Sequence, residues 1–169
     1  MHKKYITSCI QFNTPLGWLT VFATKKGICK IKFGKFCNVG AGLPSPYKEI
    51  KRDILDYLSG KQVKFNYPLD ISLTPFQEKA LKKVRQISYG KTISYKELAK
   101  KLNSSPRACG QALAKNPIPI IIPCHRIIQV DGDLGGFSGG IEWKRKLLQL
   151  ERFQQKNHLK YKKSLQFKF

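Results

Sequence analysis

A cysteine followed directly by a histidine, Cys124-His125, stands between Pro123 and Arg126. A thiolate is a strong nucleophile, but a free cysteine titrates at roughly 8.5 and needs activation at neutral pH. An adjacent imidazole can take the proton, directly or through one water. Neighbouring side chains of an extended strand face opposite ways. The pair can therefore serve one pocket only if the chain turns after Pro123. A bare Cys-His pair is more often a buried structural cysteine beside a surface histidine, so its surroundings decide its meaning.

Those surroundings are strongly basic. The 169 residues hold 32 Lys and Arg against 10 Asp and Glu, a net charge of +22. An excess of this size points to a polyanion, with nucleic acid first and an anionic membrane surface second. Membrane binding would need an amphipathic basic helix or an apolar anchor, and no run of about 18 apolar residues exists. The start, Met1-His2-Lys3-Lys4-Tyr5, has no long apolar stretch behind it, because Gln11 and Asn13 interrupt. No signal peptide is expected. The expected location is cytoplasmic, associated with the nucleoid, or nuclear in a eukaryote. The five cysteines, Cys9, Cys29, Cys37, Cys109 and Cys124, include no Cys-x-x-Cys pair. They are expected to be reduced, with neither a disulfide framework nor a zinc knuckle.

The elements that must position Cys124 fall into two textures. Residues 5–12, 17–24 and 28–33 are rich in Ile, Val, Phe and Thr and are separated by turn signals, which reads as an antiparallel meander. A helix follows from Tyr47 to Leu58, with Ile50, Ile54, Leu55 and Leu58 at helical spacing and Gly60 as its stop. Residues 62–71 are expected to add an extended segment, and this small α/β unit ends near Leu73. At Thr74-Pro75-Phe76-Gln77 a capping box opens a helix to about Ile87. Ser94 and Glu97 form a second box, and Ser105-Pro106 opens a further helix from Arg107 to about Lys115. Two short helices joined by a tight polar turn are a helix-turn-helix candidate. Ile118-Pro119-Ile120-Ile121-Ile122 reads as a short buried extended segment. Five glycines lie within 131–140, and Glu142 to Leu150 is a last helix. The fold class is α/β: a small N-terminal domain with an antiparallel sheet (1–73), then a mainly helical domain carrying the helix-turn-helix and the cysteine (74–151), then a basic tail (152–169).

The segment from Ile118 to Ile128, with Pro123-Cys124-His125-Arg126 inside it, resembles the active-site segment of the O6-alkylguanine-DNA alkyltransferases. Asn116-Pro117 stands where that family has its Asn-Pro pair. Phe137-Ser138-Gly139-Gly140 matches the family's Tyr-Ser-Gly-Gly, and Trp143, Leu147, Leu148 and Glu151 follow the final helix pattern. The match is nearly continuous from about Thr74 to Glu151, and loose before Thr74.

The resemblance implies a role for each matching position. Cys124 is the alkyl acceptor, and His125 deprotonates it through a bound water. Glu151 orients His125, since a carboxylate raises the basicity of the imidazole it pairs with. Asn116 anchors the active-site turn, a place where a helix-capping asparagine would also fit. Tyr95 donates to the substrate guanine, Ser138 contacts its O6, and Phe137 stacks over a base. Arg107 fills the gap left by an extruded nucleotide, because a stacked O6 substituent is out of reach of a buried thiol. Ala108, Gly110, Ala112 and Ala114 let the second helix approach the minor groove closely, though small residues also serve tight packing. Arg126 is expected to hold the active-site segment against the N-terminal domain. The implied partner is double-stranded DNA containing O6-alkylguanine, with O4-alkylthymine as a further candidate substrate, bound by a monomer, with no membrane and no cofactor. No metal is expected, since Cys9, Cys29 and His2 lack convincing ligand spacing.

Three departures from the family pattern stand out. The helix-turn-helix turn is about two residues short, Phe137 replaces a tyrosine, and the tail has no counterpart. Two other classes remain open: an alkyltransferase-like damage-binding protein, against which Cys124 argues, and a thiol hydrolase or redox protein, against which the helix-turn-helix argues.

Overall fold

The computed structural model describes residues 8–36 and 47–152. Strands β1 (Ser8–Thr14), β2 (Gly17–Ala23) and β3 (Ile28–Phe33) form the expected meander, antiparallel and in sequence order. On the central strand, Leu19, Val21 and Ala23 alternate into the core. Helix α1 (Ile50–Leu58) buries Ile50, Ile54, Tyr57 and Leu58, spaced as one helical face. Gly60 follows at φ +97°, a left-handed conformation that ends a helix cheaply only at glycine. Residues 62–71 add no strand of their own beyond a bridge from Leu69 to Ile28. There Ile28 N donates to Pro68 O and Asp70 N to Ile28 O, both at 2.9 Å.

The second half begins at α2 (Pro75–Arg85), whose Thr74/Gln77 capping box forms in both directions. The Ser94/Glu97 box does the same for α3 (Tyr95–Lys101), and Ser105 caps α4 (Pro106–Ala114). Asn103 turns the chain between α3 and α4 at φ +48°, a conformation asparagine tolerates better than most residues. A short parallel pair, β4 (Ile93–Ser94) with β5 (Ile127–Ile128), ties the start of the helix-turn-helix to the chain just past Cys124. No sequence pattern announced this pairing. Helix α5 covers 141–152, up to the end of the described residues. The tail from 153, and His2 and Cys37, lie outside them.

One apolar core runs from Phe12 to Leu147 and draws on both halves. Each fully buried Ile or Leu contributes about 1.5–3 kcal/mol, so the halves stabilise one another. Beside that packing, Ile31 N in β3 donates to Pro117 O at 2.8 Å.

Two expectations are corrected. Ile118–Ile122 is buried but not extended: it folds into a turn in which Pro119 bridges Ile122 and Ile120 sits at φ +75°. A β-branched residue there is strained by about 1–3 kcal/mol, so tertiary contacts have overridden strand propensity. Cys9 is disulfide-bonded, against the expectation of reduced cysteines, while Cys109 and Cys124 keep free thiols. Sequence spacing does not reveal which cysteines a fold brings together.

Candidate active site

Cys124 opens a single 3₁₀ turn, Cys124–Arg126, immediately after Pro123. Arg126 N closes it on Pro123 O at 3.0 Å. This is the turn the Cys-His pair required, and it buries Cys124, His125 and Arg126 together. Asn116 holds it from the end of α4. Its Nδ2 donates to Ile122 O at 3.0 Å and to Cys124 Sγ at 3.1 Å, and its Oδ1 accepts from Ile118 N at 3.1 Å. One side chain thus pins both ends of the strained 118–122 turn and reaches the sulfur.

Behind the turn lies Glu151, only 1% exposed. It accepts from His125 Nε2 (3.0 Å), from Tyr57 Oη (2.6 Å), from Gly90 N (2.9 Å) and from the Arg126 guanidinium (2.7–3.1 Å). Burial pulls its pKa up. The His125 and Arg126 hydrogen bonds and charges outweigh burial and hold the carboxyl at about 2. An ionised carboxylate can only accept, so His125 Nε2 must carry the hydrogen, with Tyr57 Oη a further 3.2 Å away. Nδ1 then keeps its lone pair, and no group among the described residues bonds it. Burial also depresses the His125 pKa, against Glu151's pull upward, so the ring is a neutral base at neutral pH. Burial pushes the Cys124 thiol up, partly offset by the Asn116 bond and the Lys144 charge. The resting thiol is protonated, beside a neutral base.

In front of the sulfur is a cavity of about 520 Å³. Tyr95, Arg107, Gly110, Phe137 and Ser138, all singled out from sequence, line it with Cys124, and Gln129 joins them. The short helix-turn-helix turn has not separated Tyr95 from Arg107. Burial raises the Tyr95 pKa, and Cys124 adds to the rise once it ionises, so the Tyr95 hydroxyl stays a donor. Phe137 packs at 5.4 Å from Phe33 of β3 and 6.3 Å from the His125 ring. At Gly139 a Cβ would lie 2.6 Å from the Phe33 ring, so only glycine lets the glycine-rich loop close on the sheet. Ala108 does not line the cavity. It sits in the first turn of α4, its amide bonded to Ser105 Oγ at 3.2 Å.

The expectation for Arg126 is corrected. Its fork grips Glu151, and its Nη1 donates to Ile87 O at 2.6 Å just past α2, within the C-terminal half. Tyr57 of α1 makes the link to the N-terminal half instead. It was missed, although a tyrosine on an otherwise aliphatic buried stripe signals a hydroxyl in need of a partner. Lys144 was missed too. It shares a face of α5 with Leu147, Leu148 and Glu151, an odd place for a lysine.

Residues 75–153 match the DNA-binding domain of 6-O-methylguanine DNA methyltransferase, and residues 3–71 match its ribonuclease-like domain. Over 140 residues the chain is 44% identical to the methylated-DNA–protein-cysteine methyltransferase of Sulfolobus acidocaldarius, covering 83% of this chain and 90% of the relative. The chain belongs to the methylated-DNA–protein-cysteine methyltransferase family. The Saccharolobus solfataricus member is 39% identical, over 83% of this chain and 92% of the relative. Among solved structures, Mycobacterium tuberculosis OGT in complex with DNA superposes with a TM-score of 0.77 at 32% identity, covering 86% of this chain and 93% of that one. The surface of this family member around α3 and α4 is basic: Lys96, Lys100, Lys101, Arg107 and Lys115 are all exposed. Among the described residues no helix is long and apolar enough to cross a membrane, and no cluster of His, Cys, Asp or Glu could hold a metal ion.

Proposed function

We propose that this chain reverses DNA alkylation by moving the alkyl group of O6-alkylguanine in double-stranded DNA onto Cys124. One observation carries the reading: the Cys124 thiol is placed between a cavity large enough for a base and a buried His125-Glu151 pair whose Nδ1 has no partner among the described residues. The guanine leaves the stack and enters between Tyr95 and Phe137, with Ser138 near its O6 and Arg107 filling the gap in the duplex. Small residues at Ala108 and Gly110 let α4 settle against the minor groove. His125 Nδ1 takes the thiol proton through a bound water, and Asn116 keeps the sulfur aimed. The sulfur–carbon bond forms as the carbon–O6 bond breaks. Tyr95 donates to the departing base, which takes up a proton on its ring and leaves as the lactam. A thioether does not reverse, so each molecule acts once. O4-alkylthymine presents the same bond.

Residues 1–73, 74–151 and 152–169 then serve as a supporting domain, the DNA-binding and transfer domain, and a basic tail. The chain acts as a monomer in the compartment that holds the DNA, the cytoplasm or its nucleoid. The test is incubation with a duplex bearing O6-methylguanine and peptide mapping by mass spectrometry. One equivalent of methyl on Cys124, none in Cys124→Ala, and weaker binding as salt rises are expected. Many turnovers, or methyl elsewhere, would overturn it.

A further inference from the structure

The parallel pair β4–β5 does more than tie the helix-turn-helix to the reactive segment. Its register joins Ile93 to Ile127 and Ser94 to Ile128. Carried one residue further, it sets Tyr95 beside Gln129, on neighbouring chains about 4.8 Å apart. Both residues line the cavity in front of Cys124. Gly135 approaches the two from the glycine-rich loop. A Cβ there would lie 3.4 Å from Gln129 Nε2 and 3.5 Å from Tyr95 Cε2.

The Gln129 backbone is tied at both ends. Its N donates to Asp133 O at 2.8 Å, and its O accepts from Gly132 N at 3.1 Å. The Asp131 and Asp133 carboxylates stiffen the same turn, accepting from Asp133 N at 3.0 Å and from Gly135 N at 2.9 Å. The side-chain amide of Gln129 has no hydrogen-bond partner among the described residues. A rigid turn therefore presents one donor group and one acceptor at the cavity wall, beside the Tyr95 donor.

Alkylation at O6 removes the hydrogen from N1 of guanine. The 2-amino group is then the one donor left on that edge of the base, between two ring nitrogens that accept. The other side chains of the wall are poorly suited to accept from it. Arg107 only donates, Phe137 has no polar atom, Ser138 is placed at O6 and the Tyr95 hydroxyl donates to the ring. We propose that Gln129 is a specificity-determining residue: its Oε1 accepts from the 2-amino group of the extruded guanine while Tyr95, beside it, donates to the neighbouring ring nitrogen.

This inference rests on the alkyl-transfer reading and names the part of the base that the site reads. Its test is single-turnover methyl transfer from two matched duplexes, one bearing O6-methylguanine and the other O6-methylhypoxanthine. The two bases present the same carbon–oxygen bond and differ only in the 2-amino group. The ratio of the two rates is the readout, so a general loss of duplex binding or of folded protein cancels. Gln129→Met, of similar length but without a donor or an oxygen, should cut the preference for O6-methylguanine about fivefold, the effect of one hydrogen bond. Gln129→Glu keeps an acceptor oxygen and should hold the preference within about twofold of wild type, while its charge slows both reactions against DNA. Gln129 is exposed, so both variants should melt with the wild type. A preference left unchanged by Gln129→Met, or lost equally in Gln129→Glu, overturns the assignment and leaves the functional reading standing. A wild-type chain that takes methyl from neither duplex overturns both.

Discussion

The two sides of Cys124 are built on opposite principles. Behind it, one carboxylate collects hydrogen bonds from five donor groups of the 3₁₀ turn, α1 and the α2–β4 connection. In front, Tyr95, Arg107, Phe137 and Ser138 surround a cavity and leave it open. The Glu151 carboxylate is satisfied internally, so the geometry of the rear exists before substrate arrives and costs little to organise at the moment of reaction. The front is to be completed by its ligand. Chemistry and stability are therefore fused on one side, whereas recognition on the other is nearly independent of folding.

The sharpest way to break that contrast is Glu151→Gln. It leaves the Arg126 guanidinium buried without its counter-charge, at a cost of about 3–5 kcal/mol. It also removes the group that orients His125, so transfer should fall by about 100-fold or more. Urea unfolding and single-turnover kinetics would check both. A variant of unchanged stability would mean that the rear is not a structural unit.

Acid should weaken the rear in the same way without mutation. Glu151 titrates at about 2 in the fold, below its unfolded value, so its stabilisation is present above the unfolded pKa and lost as pH falls toward 2. The loss amounts to about 3 kcal/mol. His125 has a depressed pKa in the fold, so protonation of the unfolded chain starts the decline at higher pH. Urea midpoints against pH should show the slope, and Glu151→Gln should flatten its lower part.

At the front the expected signature is reversed. Arg107→Ala should reduce transfer from a duplex by about 1–3 kcal/mol, roughly tenfold to a hundredfold. The melting temperature and the Cys124 iodoacetamide rate should stay unchanged, because Arg107 is exposed. The smallest effect is expected for Phe137→Tyr. It restores a hydroxyl at the cavity wall and keeps the ring contact with Phe33, so duplex repair should change by no more than about twofold.

Much of this arrangement was legible from local rules. The capping boxes at Thr74 and Ser94 each use side chains three residues apart, and both formed as spaced. The meander and α1 follow from hydrophobic period, and the Cys-His pair itself demanded a turn after Pro123. The placement of Asn116, His125 and Glu151 around that turn was legible only through resemblance, because their contacts span up to 26 residues.

The sequence by itself determined the meander, most of the helices and the caps of α2, α3 and α4, because these depend on neighbours within a turn or two of the chain. The Cys124 thiol it marked only through resemblance. Tertiary structure alone decided what holds that thiol in place. Tyr57 meets Glu151 across 94 residues. Arg126 turns to Glu151 and Ile87 rather than to the N-terminal half, and Lys144 gathers three carbonyls from a distant loop. Ile120 adopts a strained φ that its own propensity opposes. In each case the deciding energy is that of a buried polar group or a packed core, which exists only after distant segments have met.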